Sequence, residues 1–166
     1  MKAGTKKASS FLPPNALKAL LSRPGGKTRD EAIAAALAGI ESLRSVSMEA
    51  VERAVDAIEV AARRNTHETL SADQLEQVAR DADLIITLAG TYGIANLDAA
   101  GRSLCDLVRS LLKVAPCPAE PVVVHARALK LFAPSKPPIG NEQAQMVLQE
   151  LGKIRTHFDA MPPTAA

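Results

Sequence analysis

Three histidines and two cysteines are the side chains of this chain with the most chemistry to offer, and their spacing decides how much of it is usable. His125 has a nitrogen lone pair that can take a phosphoryl group from a phosphorylated carboxylate, and Arg127 and Lys130 would bring positive charge to it. The competing reading is structural. On a helix His125 shares a line with Val122, Leu129 and Phe132, which places it at the edge of a core. Lys130 also follows at the wrong spacing to share its face. His67 lies in the loop segment Asn65-Thr66-His67-Glu68, and His157 falls on the polar side of a helix; neither has an obvious partner.

Cys105 and Cys117 are too few for a disulfide framework. Cys105, in Ser103-Leu104-Cys105-Asp106-Leu107, reads as a buried reduced thiol, and Cys117 lies between Pro116 and Pro118 with no base beside it. No Cys-x-x-Cys or His-x-x-x-His spacing points to a metal, and no Glu-x-x-His pattern points to a diiron bundle. Gly25-Gly26-Lys27-Thr28 has the tail of a phosphate-binding loop but neither its upstream glycine nor a preceding strand. No catalytic activity, cofactor or metal is therefore expected.

The elements that would have to position such groups are helical. The 166 residues are 47% hydrophobic and 23% charged, with three Phe, one Tyr and no Trp. An apolar fraction drawn mostly from Ala, Leu and Val builds a core by aliphatic helix packing. Alternating β-branched segments with Asn-Gly or Asp-Gly turns are absent, which argues against a sheet. No apolar run approaches the roughly 18 residues of a membrane span, and no apolar signal core follows the first lysines, so a cytoplasmic location is expected.

Charge is unevenly divided. Residues 1–27 carry Lys2, Lys6, Lys7, Lys18, Arg23 and Lys27 and no acid, whereas the remainder, with 14 basic and 18 acidic residues, is mildly acidic. A basic arm can be a solvated tail, or can bind an acidic surface or nucleic acid. The nucleic-acid reading is weak without aromatic stacking residues. Within the arm, Phe11 to Leu21 is apolar enough for a short docking helix.

Behind Pro24-Gly25-Gly26 the caps and periodicity predict successive helices. Thr28 with Glu31 forms a capping box ahead of Ile33, Ala36, Leu37, Ile40 and Leu43. Ser47 is placed to cap a second helix striped by Val51, Ala54, Val55, Ile58 and Ala62, which ends at Asn65. Ser71 with Gln74 opens a third through Leu75, Val78, Ala82, Ile85 and Ala89. Asn96 is expected to cap a fourth, with Leu97, Ala100, Leu104, Leu107, Val108 and Leu111 inside. A shorter helix over residues 119–132 follows, then a proline-rich loop, Pro134 to Gly140. Asn141 is expected to cap the last helix, with Val147, Leu151, Ile154 and Phe158 on one face. Short connections mean antiparallel neighbours. The predicted architecture is an all-α, up-and-down four-helix bundle with extra helices: a basic arm at 1–27, a bundle domain at 28–160 and a fraying tail at 161–166.

Function then has to come from a surface, and the helix ending near Gly90 offers one. Its apolar residues, with Tyr92, cover one arc, and Asp73, Glu76, Arg80, Asp83 and Thr87 the other. Ile86 lies on the border, as an edge of the core or an exposed contact. Gly90, one turn on, either caps the helix or lets another protein's backbone approach.

The run Ile86-Thr87-Leu88-Ala89-Gly90 resembles the His-Thr-Leu-Lys-Gly core of histidine phosphotransfer (HPt) domains at Thr87, Leu88 and Gly90. Thr91, Tyr92, Gly93 and Ile94 resemble the small-residue stretch and glycine that follow, and residues 97–108 resemble the next helix of that bundle. Ile86 stands where the family has its phosphorylated histidine, and Ala89 where it has the lysine that helps neutralise the phosphoryl group. The resemblance therefore implies an HPt-like bundle without the phosphoacceptor. Its partner-binding residues would be Ile86, Thr87, Ala89, Gly90, Thr91 and Gly93, and its partner a response-regulator receiver domain or a histidine kinase. A second resemblance rests on Pro24-Gly25-Gly26-Lys27-Thr28, Ser103-Leu104-Cys105-Asp106-Leu107 and the segment Val124 to Leu131. These are similar to the small chemotaxis accessory proteins of alphaproteobacteria known as CheE, which also implies a partner in a chemotaxis relay. The expectation is thus a non-catalytic binding module in two-component signalling. An active phosphotransfer protein using His125, and an assembly bundle binding through its arm, are the alternatives.

Overall fold

The computed structural model describes residues 25–63 and 69–162. The expectations for Phe11 to Leu21 and the rest of the arm to residue 24, for Asn65 and His67, and for the last four residues lie outside that range. Among the described residues there are six α-helices and no strand, as the composition required: α1 (Arg29–Ser42), α2 (Arg44–Arg63), α3 (Ala72–Thr91), α4 (Ala95–Leu111), α5 (Glu120–Phe132) and α6 (Asn141–Asp159). They fall into two units, residues 1–41 and 42–166, where the sequence alone placed the bundle from residue 28.

In the first unit α1 opens on the capping box its sequence predicts. The Glu31 backbone N–H donates to Thr28 Oγ1 at 3.3 Å, and the Thr28 N–H donates to Glu31 Oε2 at 2.7 Å, which holds the Glu31 carboxyl below its usual range. The expected buried stripe is not realised: Ile33, Leu37 and Ile40 are exposed, and no residue of α1 is buried. Five alanines between residues 32 and 38 spread apolar surface around the whole circumference, so this helix rests on propensity rather than on one packed face.

In the second unit periodicity is realised as burial. Val51, Ala54, Val55, Ile58 and Ala62 of α2, and Leu75, Val78, Ala82, Ile85 and Ala89 of α3, are the buried residues of those helices. On α4 all six expected core residues are buried. Each large aliphatic side chain removed from water contributes roughly 1.5–3 kcal/mol. Helix α2 packs on α3 and α5, and α4 packs on α3, α5 and α6. Consecutive helices reverse direction. Cys105 meets Asp83 across α4 and α3, while Lys130 of α5 reaches back to Asp56 and Glu59 of α2. Helix α6 consequently runs parallel to α4, pinned by Arg155 to Asp106 at 3.1 Å and by Ser110 Oγ to Asp159 Oδ1 at 2.9 Å.

Three expected caps move. Helix α2 begins before Ser47, whose hydroxyl instead faces the Tyr92 hydroxyl at 3.1 Å, just past the end of α3. Asn96 lies inside α4, whose N-cap is Ile94, and Asn141 is the first residue of α6, behind Gly140. Ser71 and Gln74 form the predicted capping box of α3.

Candidate functional site

The end of α3 is closed by Gly93, which has a φ of +70°. The Ile94 N–H donates to the Ala89 carbonyl at 2.9 Å, and the Gly93 N–H to that of Gly90 at 3.4 Å. This is the Schellman pattern, with its left-handed residue at 93, where glycine escapes the Cβ clash. Gly90 is therefore not the cap. It sits in the last turn of the helix, exposed, with no heavy atom within 4 Å of where a β-carbon would stand.

Ile86 is half-buried and packs on the core. Its Cγ1 lies against Gly101 of α4, where a β-carbon would come within 2.9 Å. Thr87 and Thr91 are exposed, but each hydroxyl donates to its own helix backbone, Thr87 to the Asp83 carbonyl and Thr91 to the Thr87 carbonyl, both at 2.8 Å. Their donors are spent locally, so neither reaches outward for a partner's carbonyl. Ala89 departs from the expectation. It is fully buried one turn after Ile85, on the inner line of α3, and its side chain cannot meet a partner.

Residues 84–97 contain no charged side chain, and Leu84, the first of them, is exposed. Two arginines that sequence reasoning did not single out lie on the helices that pack against α3. On the α2 side the Arg44 guanidinium lies 4.7 Å from the centroid of the Tyr92 ring. On the α4 side, next to Gly101, Arg102 Nε donates to Asp98 Oδ2 at 3.0 Å. The second pair was legible as an i, i+4 couple; the first joins residues far apart in sequence and left no local signal.

His125 is the largest correction to the chemistry considered above. It is completely buried, not at an edge. Nδ1–H donates to the Pro121 carbonyl at 2.8 Å, which leaves Nε2 to accept the Ser103 hydroxyl at 3.1 Å. Burial pushes its pKa down, an effect the Pro121 carbonyl partly offsets. Both nitrogens are occupied, and the side chain has no exposed surface. Lys130, a proposed source of charge for it, is instead clamped between Asp56 and Glu59 at 3.1 and 2.9 Å.

The thiols are equally quiet. Cys105 donates to Asp83 Oδ1 at 3.4 Å, and burial first, then the Asp83 charge, push its pKa up to about 12. Cys117 donates to the Val114 carbonyl at 2.8 Å, and burial raises its pKa as well. Neither yields thiolate at neutral pH. Among the described residues no cluster of His, Cys, Asp or Glu can hold a metal ion. No helix there is long and apolar enough to cross a membrane.

One further concavity lies between α5 and α6, which touch sparsely: a cleft of about 350 Å³ lined by Val124, Leu131, Met146, Val147 and Leu151 among others. Comparison with protein families, with curated proteins and with solved structures finds no match to this chain.

Proposed function

We propose that this chain is a phosphotransfer-like helical bundle without a phosphoacceptor, acting in the cytoplasm as a non-catalytic binding module of two-component signalling. Its partner is a receiver domain or a histidine kinase, held at the end of α3 around Ile86, Thr87, Gly90 and Thr91.

The observation that carries this reading is Gly90. An exposed glycine inside a helix costs about 1 kcal/mol relative to alanine. Nothing within the described residues requires one here, since the cap is Gly93 and no neighbour crowds position 90. A surface that must admit another backbone accounts for it. The α3–α4 hairpin, the uncharged stretch and the absence of a nucleophile at position 86 fit the same reading. The burial of His125 speaks against phosphotransfer through that residue.

The test is binding of purified receiver domains and kinase fragments from the same genome, measured by calorimetry. Gly90→Arg, which keeps helix propensity while filling the approach, should lower affinity by about 2 kcal/mol or more, as at an interface hot spot. Unchanged affinity in a folded Gly90→Arg protein would place the functional surface elsewhere.

A further inference from the structure

Helix α6 is only half accommodated by the bundle. Of its 19 residues only Ala144 and Leu151 are buried, while Val147, Ile154 and Phe158, expected on the same inner face, pack only in part. The open side is the one toward α5. Two hollows of about 440 and 350 Å³ lie along that seam, and Val124 lines both, so they run together as one groove. Toward the C-terminal end of α5 the groove holds two large apolar side chains in contact with water, Leu131 at 41% and Met146 at 58% exposure. Among the described residues α3 touches neither α5 nor α6, so this surface is separate from the one proposed above and does not depend on it.

The charges along the groove come in a definite order. At one end Glu120 of α5 stands with Lys153 and His157 of α6; Arg127 stands next with Glu150, and then the uncharged Leu131 with Met146. Because α5 and α6 are antiparallel, each set shares a level along the groove. Among the described residues Glu120 and Arg127 enter no ion pair. Glu150 is held by Lys153 at 2.6 Å on its own helix, an exposed pair that is worth little in water and gives way readily.

We infer that the α5–α6 groove is a homodimer interface, in which two copies of this chain close face to face about a two-fold axis running along the groove. That axis lays α5 of one protomer antiparallel over α6 of its partner and sets every level upon itself. Arg127 meets the partner's Glu150, Glu120 meets the partner's Lys153, and Leu131 meets the partner's Met146. A two-fold axis across the groove would instead set Glu120 against apolar side chains. An isologous contact needs a surface complementary to itself, and this order of acid, base and apolar residues is one. The size agrees. With 19 and 13 residues, α6 and α5 are roughly 28 and 20 Å long and each about 10 Å wide, a face of roughly 500 Å². Two such faces bury about 1,000 Å², the lower bound for a specific interface, so the dimer is weak and reversible.

The test is sedimentation equilibrium of the full chain from micromolar to millimolar concentration, with the helicity of every variant checked by circular dichroism. The wild-type chain should show a monomer–dimer equilibrium. Met146→Glu, which places a charge in the apolar part of the contact, should weaken it about tenfold or more; Met146→Lys replaces it should the glutamate variant not fold. Arg127→Glu and Glu150→Arg should each weaken self-association about threefold or more, since each sets like charges together twice in one dimer. Mixed in equal amounts, these two variants should bind each other more tightly than either binds itself, because both cross-pairs are then attractive. A wild-type chain that stays monomeric throughout overturns the proposal. A dimer indifferent to Met146→Glu overturns it too, by placing the contact elsewhere, and so does a mixture no tighter than its components.

Discussion

Ile86 seats directly on Gly101 across the α3–α4 pair: a β-carbon at 101 would lie 2.9 Å from Ile86 Cγ1 and 3.7 Å from Ile85 Cγ2. Because Ile86 is β-branched, its χ1 is stiff and Cγ1 cannot swing away. Gly101→Ala should gain about 1 kcal/mol of helix propensity and lose ~1–3 kcal/mol to overpacking, for a net loss. Combining it with Ile86→Ala removes the clash, so a double-mutant cycle by urea denaturation should show coupling of about 1 kcal/mol or more. Additive effects would mean that the two residues do not touch.

The two glycines at the end of α3 should respond oppositely. Gly90→Ala places a methyl group in open space on a helix and should raise stability by up to about 1 kcal/mol. Gly93→Ala forces a β-carbon onto a φ of +70° and should lower it by roughly 1–2 kcal/mol. Thermal melts of the two variants side by side check this; a loss at both positions would contradict the cap assignment.

His125 sets a pH dependence. Its folded-state pKa is depressed by burial, so the unfolded chain binds more protons over the interval from about 6.5 down to the folded value. Its contribution to stability should be fully present above about pH 6.5 and decline as the pH falls through that interval. Urea midpoints at pH 7.5 and pH 5.0 should differ more in the wild-type chain than in His125→Gln. Equal differences would show that His125 does not titrate on unfolding.

Phosphotransfer should be absent. Incubation with a phosphorylated receiver domain or an autophosphorylated kinase should leave no acid-labile phosphate on this chain, since position 86 lacks a nucleophile and both His125 nitrogens are bonded inside the core. Phosphate that appears on the chain and vanishes in His125→Ala would restore the catalytic alternative.

What the sequence disclosed, and what it hid, follows from range. The buried lines of α2, α3 and α4 were legible because a helix repeats its inward face every three to four residues, and the boxes at Thr28 and Ser71 because a cap is settled within one turn. Ser47, Asn96 and Asn141 misled because the start of a helix depends on where the preceding turn closes. The three-residue link Tyr92-Gly93-Ile94 carries the backbone into α4 before Asn96 can cap it. At the candidate site Thr87 was placed on the polar arc from spacing, whereas Gly90 was left between a cap and an open contact, and Thr91 followed only from the resemblance. The stacking of Arg44 on Tyr92 and the seating of Ile86 on Gly101 depend on helix register, which no local pattern encodes.

The burial of Ala89 limits what this stretch can be made to do. A lysine at 89 would set an ammonium group where Ala89 now has no exposed surface, at a cost of several kcal/mol unless α3 rotated or the long side chain found a way out. Histidine at 86 would in turn have to be accommodated against Gly101. Engineering a His-x-x-Lys pair onto this helix would therefore be opposed by the packing of α3 on α4, so the last turns of α3 are closed to that design unless the seam is rebuilt with them.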